Sequence, residues 1–383
     1  MAMALACRFP SWLVAPRSCS PWNRSGFSSF SLSLHPSIGS DSISRILRLN
    51  RNCERWRNRA AVDAASGYDP RDGVAVYKPA SYDVLVNDVV DATFFALDEG
   101  NNRLEIEFPP LPNEISSYKG SSDDFIDANI QLALAFANKL NAARGIVTKI
   151  VFPDNVEKRR ASRVFRSAFD LSKGISLGCL DDVPGGNGFL KALRGAFELD
   201  FQEDVSGKWQ TSSPPSMYVV VNCSGNELPD LQKYMDAVVG SASIVLFNLQ
   251  LDKLRSDLGL FGFPGKDLQY EFLSQFLPAF YIRTRDYSKN VPFAPFIVNY
   301  SGALLRRYPG PWQVMIKQAN GVYACVAENR QRFTLGQAKE ELLRSLGLQE
   351  KEGSNLEFLR RGYKTSTWWE DDAALEKSSA WRS

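Results

Sequence analysis

From residue 81 onward the apolar positions alternate between a helical and an extended period, and turn formers separate the blocks. Ser81 starts a predicted helix over 82–97 that Gly100 stops. Arg103–Phe108 alternates, with Leu104, Ile106 and Phe108 on one side, which predicts a strand. The clearest helix is 122–143, where Ile126, Ile130, Ala133, Ala137 and Leu140 step by four, three, four and three along one face. Ser122, Asp123 and Asp124 supply a cap and negative charge at its start, where the helix dipole favours them. Ile146–Phe152, a segment near Ile175–Leu180, Met217–Val221 and Ile244–Phe247 are short, apolar and rich in β-branched residues. Helical patterns at roughly 156–170 and 227–239 fall between them. Strands alternating with helices predict an α/β fold: a largely parallel, Rossmann-like sheet with helices on both faces.

The pattern changes near residue 260. Short aromatic strands are predicted at 280–285, 294–300, 303–308, 312–317 and 322–327, punctuated by Gly302, Pro309-Gly310-Pro311 and Asn320-Gly321. Asn-Gly between two apolar runs signals a hairpin, so this half is expected to be antiparallel. Thr334-x-x-Gln337 has the form of a capping box and opens a helix with Leu335, Ala338, Leu342 and Leu346 on one face. The expected organisation is a presequence (1–62), a lead-in (63–80), one α/β domain (81–349) and an extended, Trp-rich tail (350–383).

Charge changes the picture at the N-terminus. Residues 1–62 hold nine Arg, no Lys, twelve Ser and two acids, a net +7, which leaves 36 basic and 41 acidic residues in 63–383, a net −5. Ser-rich, Arg-rich and acid-poor composition is that of an organelle transit peptide, and Met-Ala with the serines from Ser25 to Ser44 favours a chloroplast. Arg59-Ala60-Ala61-Val62 resembles a processing region. No apolar run reaches the ~18 residues of a spanning helix. A chloroplast destination, for a protein that is soluble or peripheral to a membrane, is therefore expected.

The sole histidine, His35, lies in the presequence, so histidine-based triads and H-E-x-x-H sites are excluded from the processed chain. Cys179, Cys223 and Cys325 form no C-x-x-C pair and read as small buried hydrophobes. Neither Gly207-Lys208 nor Gly265-Lys266 completes a P-loop. Three weaker arrangements remain. Pro184–Gly188 is Gly-rich between a strand and a helix and could cradle an anion, or simply join the two. Asp123, Asp124 and Asp127 could share a cation, or serve as first-turn acids. Asp154 stands at a strand's carboxyl end, where α/β sheets place functional groups, and an N-cap explains it equally. Lys158-Arg159-Arg160, with Arg163 and Arg166, is a basic helix start that could touch anionic lipid or an acidic partner, or form a solvated face. Trp368, Trp369 and Trp381 are three of the five tryptophans beyond residue 62. They are the candidate partner-binding residues, unless the tail folds back and buries them. No catalytic residue, metal site or cofactor is expected.

From Tyr68 to the C-terminus the chain resembles the chloroplast low photosystem II accumulation proteins. The segments that carry the likeness include YDPRDGVAVYKP (68–79), SSYKGSSDDFIDANIQLA (116–133), LGLFGFPGKDL (258–268), YIRTRDYSK (281–289), RRYPGPWQVM (306–315) and RRGYKTSTWWE (360–370). The wider family is a plant and cyanobacterial domain of unknown function with F-P-D, N-L-x-L-D and Y-P-G-P-W, here Phe152–Asp154, Asn248–Asp252 and Tyr308–Trp312. The resemblance implies a non-enzymatic stromal factor for photosystem II assembly. It would assist incorporation of the psbC-encoded chlorophyll-binding subunit, alongside a membrane-embedded low photosystem II accumulation partner and the Alb-type thylakoid insertase. The alternative is a small-ligand or nucleotide-binding enzyme that uses Asp154 and the 184–188 loop.

Overall fold

The computed structural model describes residues 69–79, 81–109, 122–183, 209, 211, 213–291, 296–349 and 366–383. The presequence, the 184–188 loop and residues 350–365 of the tail lie outside them. In chain order the elements are β1 (Val76–Tyr77), α1 (Tyr82–Asp98), β2 (Arg103–Glu107), α2 (Ser122–Arg144), β3 (Thr148–Phe152), α3 (Asn155–Val164), α4 (Arg166–Leu171), β4 (Ile175–Cys179) and β5 (Met217–Val220). There follow α5 (Leu228–Tyr234), β6 (Ser243–Phe247), α6 (Leu251–Asp257), β7 (Leu277–Asn290), β8 (Ile297–Arg307), β9 (Trp312–Lys317), β10 (Tyr323–Asn329), α7 (Leu335–Ser345) and α8 (Trp368–Asp371).

Ten strands form one mixed sheet in the order β1-β10-β9-β8-β7-β2-β6-β5-β3-β4. The run from β4 to β7 is parallel, and β7 through β10 continues as an antiparallel meander that β1 closes. The fold is the expected α/β class, with β7 as the strand shared by both halves. Alternate residues of the parallel strands feed two cores. Ile150, Phe152, Val219, Val245 and Phe247 pack with Ile130, Ala133, Phe136 and Leu140 of α2. Val151, Val220, Ile244 and Leu246 pack with Leu228, Leu231 and Leu254 on the opposite face. Such two-sided burial explains why these strands read as continuous apolar runs.

Two predicted boundaries shift. The strands expected at 294–300 and 303–308 are one strand, β8. Gly302 lies inside it because a Cβ there would stand 2.5 Å from Leu342 Cδ1 on α7 and 3.0 Å from the Met315 carbonyl. The glycine serves close helix-on-sheet packing rather than a turn. The tail is also not extended over its described part. Residues 366–383 form α8 and a short 3₁₀ turn, Ala373–Leu375, and dock beside the Leu268–Phe272 turn and the approach to α7, where Lys377 N–H donates to the Tyr270 carbonyl at 2.8 Å and Arg332 N–H to that of Arg382 at 2.7 Å. The capping box at α7 is as expected: Thr334 Oγ1 accepts from Gln337 N–H at 3.2 Å, and Gln337 Oε1 accepts from Thr334 N–H at 2.9 Å. No helix among the described residues is long and apolar enough to cross a membrane.

Candidate partner-binding surface

On the second face of the sheet, α5 and α6 cover the parallel strands and α7 covers the antiparallel ones. Between them, over β2 and β7, the sheet carries charge. Leu104 and Ile106 enter the first core, so period-2 alternation sends Glu105 and Glu107 to this face, where both are buried. Asp252 of α6 is the centre of the cluster. It is ion-paired with Arg255 at 2.9 Å, Arg332 at 2.8 Å and Arg283 at 3.1 Å, and it accepts from Tyr281 Oη–H at 2.8 Å. Burial alone would raise the Asp252 carboxyl, but these guanidinium groups outweigh it and hold the pKa far below the usual range. A carboxylate held this way has little affinity for a proton, so it is a poor general base. Glu107 is the opposite case. Burial, reinforced by Glu105, pushes it up to about 8, so it carries its proton at neutral pH. Glu105 is raised by burial and partly offset by Arg255, 3.5 Å away.

The C-terminal segment closes this cluster. Trp381 is buried, with the guanidinium carbons of Arg382, Arg255 and Arg332 at 4.4, 4.7 and 5.1 Å from its ring centre. Its Nε1–H donates to Glu376 at 2.9 Å; Glu376 also accepts from Gln269 at 2.8 Å, and Gln269 in turn accepts from Arg255 Nε–H at 2.9 Å. Arg382 donates to the carbonyls of Trp369 and Glu370 at 2.6 and 3.2 Å. The Glu370 carboxylate accepts from Leu335 N–H at 2.9 Å, which joins the tail to the start of α7. A cleft of about 510 Å³, open mouth included, remains beside it, lined in part by Arg283, Arg285, Arg332, Thr334 and Glu370.

The candidate tryptophans therefore divide. Trp369 and Trp381 are buried within the chain and present no ring to a partner in this structure. Trp368 is half-buried, edge-on to Tyr270 with ring centres 6.1 Å apart, and Lys266 Nζ lies 4.5 Å over its ring.

Lys266 links Trp368 to a feature that sequence reasoning missed. Leu258 to Gly265 is a loop between α6 and the π-helical turn Leu268–Phe272. Gly259 N–H donates to the Pro264 carbonyl at 2.7 Å, and Phe263 N–H to that of Leu260 at 3.0 Å. Gly259 and Gly262 have φ of +81° and +86°, which residues with a Cβ rarely adopt. The backbone thus bonds to itself and turns Leu260, Phe261 and Phe263 outward, while Leu258 stays in the second core. Leu260 is 56% exposed, Phe263 42%, and Phe261 105%, as open as in an extended peptide. The signal lay in the segment LGLFGFPG, where large apolar residues are interleaved with turn formers and have no period that would bury Leu260, Phe261 and Phe263 together.

Of the other expected groups, Asp154 and Asp127 have structural roles, while the 184–188 loop and the side chain of Asp123 lie outside what the structure describes. Asp154 caps α3, accepting from Glu157 N–H at 2.8 Å. Asp127 pairs with Arg160 at 2.8 Å and Lys158 lies 3.8 Å from Asp182, so the basic start of α3 is partly neutralised. Among the described residues no group of three or more His, Cys, Asp or Glu could hold a metal ion. Cys179, Cys223 and Cys325 are free and buried, and burial raises each thiol's pKa. Beyond β5 and β6, Asn222 and Asn248 adopt φ of 59° and 52°. Asn129 of α2 donates to Asn222 at 3.1 Å and accepts from Asn248 at 2.6 Å, and Asn248 accepts from Phe108 N–H at 3.1 Å. This buried amide relay fastens three strand ends to α2.

The chain matches the family described as "Domain of unknown function (DUF1995)" over residues 79–340. It belongs to that family. The matched stretch contains the sheet from β2 to β10 and the 258–265 loop, while the docked segment 366–383 lies beyond it. No curated protein and no solved structure matches the chain.

Proposed function

We propose that this chain is a non-enzymatic assembly factor for photosystem II, the third of the low photosystem II accumulation proteins within its family. It works in the chloroplast stroma and at the thylakoid surface. There it assists incorporation of the psbC-encoded inner-antenna subunit, alongside the membrane-embedded low photosystem II accumulation partner and the Alb-type insertase. The observation that supports a binding role is the 258–265 loop, whose internal hydrogen bonds hold Leu260, Phe261 and Phe263 out in solvent. Exposed apolar groups on a rigid support cost solubility and are a mark of interaction sites. The resemblance of 68–383 supplies the client, and the composition of 1–62 supplies the destination. Pulse-labelling of chloroplasts with and without the protein tests this reading. Without it, the psbC product is expected to be synthesised normally and then to stall or be degraded before it enters photosystem II. Incorporation at the normal rate would reject the client.

A further inference from the structure

We propose that the 258–265 loop is a wedge that enters the apolar boundary of a lipid bilayer. This deepens the binding role assigned above and rests on it. The first argument is shape. At 105% exposure Phe261 has no neighbour from its own chain, so it is the apex of a protrusion and not the wall of a groove. The second is area. Three side chains present a patch in the class of a few hundred Å², below the ~800 Å² per partner of a stable protein interface, whereas a bilayer sets no such threshold. The third is the backbone. Amides entering a low-dielectric layer must be satisfied internally; Gly259, Leu260 and Phe263 donate to carbonyls within 257–264, while the Phe261 and Gly262 N–H groups make no such bond among the described residues, so the insertion is shallow, with the side chains in the apolar boundary and these two amides at headgroup level.

Charge then selects the kind of membrane contact. Residues 258–265 carry no ionisable side chain, and, the fully buried Arg255 aside, the nearest ones on the chain balance in sign, Lys253 and Lys266 against Asp257 and Asp267. Apolar insertion rather than headgroup attraction therefore drives the contact, and it does not require anionic lipid. Trp368 stands at the base of the loop beside Lys266 and packs there rather than entering the lipid.

The test uses the full chain and protein-free vesicles of phosphatidylcholine. Neutral lipid removes any attraction from the basic residues of 1–62. The chain is expected to co-sediment with these vesicles, with less than about twofold change on raising salt. Leu260→Ser with Phe261→Ser is expected to weaken partitioning about tenfold or more while leaving the melting temperature unchanged. Phe261→Trp is expected to gain emission that lipids brominated near the headgroup quench. Equal partitioning of parent and double variant would overturn the proposal, as would failure to bind vesicles. Binding to thylakoids but not to vesicles, abolished by protease treatment of the membranes, would instead assign the loop to a membrane protein. That outcome rejects lipid as the occupant and leaves the assembly role standing, whereas normal psbC-product incorporation rejects the assembly role whatever the vesicles show.

Discussion

The C-terminal segment and the 258–265 loop are both aromatic, and the structure uses them in opposite ways. Trp381 is enclosed by Arg255, Arg332 and Arg382, and its indole N–H is bonded to Glu376. Phe261 touches nothing, and the hydrogen bonds around it belong to the backbone beneath. What separates a core ring from an exposed ring is whether the chain itself supplies the ring's partners. Three arginines and a bonding carboxylate make the tail a structural closure over a buried ionic cluster. Two positive-φ glycines and an internally bonded turn make the loop a platform.

The comparison breaks most sharply at the closure. Trp381→Ala removes the ring that three guanidinium groups share and opens the cluster to water. A loss of about 3–5 kcal/mol is expected, read as a large fall in melting temperature. Were the ring dispensable, the melting curve would hardly move. Asp252→Asn leaves Arg255, Arg283 and Arg332 without their common counter-charge, and breaking a buried pair this way costs about 3–5 kcal/mol. The sign with pH is definite. The folded pKa is depressed, so the contribution is present above the unfolded value and fades as pH falls through the folded one. Chemical denaturation at pH 7 and at pH 3 should show the variant's deficit shrinking in acid.

Glu107→Gln sharpens the same region from the other side. Folded Glu107 keeps its proton up to about pH 8, whereas an unfolded glutamate loses it near 4.5. The folded state binds more protons in that window, so this group's contribution is complete below 4.5, declines as pH rises and is gone above 8. The glutamine variant should match the parent near pH 4.5 and exceed it above pH 8 by about 2–4 kcal/mol. A parent-like slope between those limits would mean that Glu107 ionises normally. Phe261→Ser has the smallest expected effect, within about 0.5 kcal/mol, because the ring it removes packs on nothing. A drop comparable with that of Trp381→Ala would return the loop to the core.

Much of this fold is legible in the residues. The steps of 126, 130, 133, 137 and 140, the capping box at Thr334 and the Asn-Gly hairpin each encode a local rule that packing did not override. Gly302 misleads because a glycine that ends a strand and one that admits Leu342 look alike until the helix is placed. The ionic cluster is hidden for a similar reason. Glu105 and Glu107 alternate with Leu104 and Ile106 as on a half-wet strand, and only the sheet order, with β2 central, buries them. Arg255 and Arg332 are 77 residues apart, and the distance patterns of helices and strands cannot bring them together. The motif residues themselves have structural duties: Asp154 caps, Asn248 ties strand ends, Asp252 anchors three arginines and Trp312 is buried. The loop's exposure was visible in composition but lacked a reference, because an aperiodic apolar run can be a buried connection or a free tip until its neighbours are known.

The most direct test replaces the parent chain in chloroplasts with the Leu260→Ser, Phe261→Ser variant and follows pulse-labelled psbC product into photosystem II. The variant should accumulate to the parent's level and melt at the parent's temperature while incorporation stalls, as it does when the protein is missing. Normal incorporation by a stable variant would contradict the account, because the loop would then be exposed without being used.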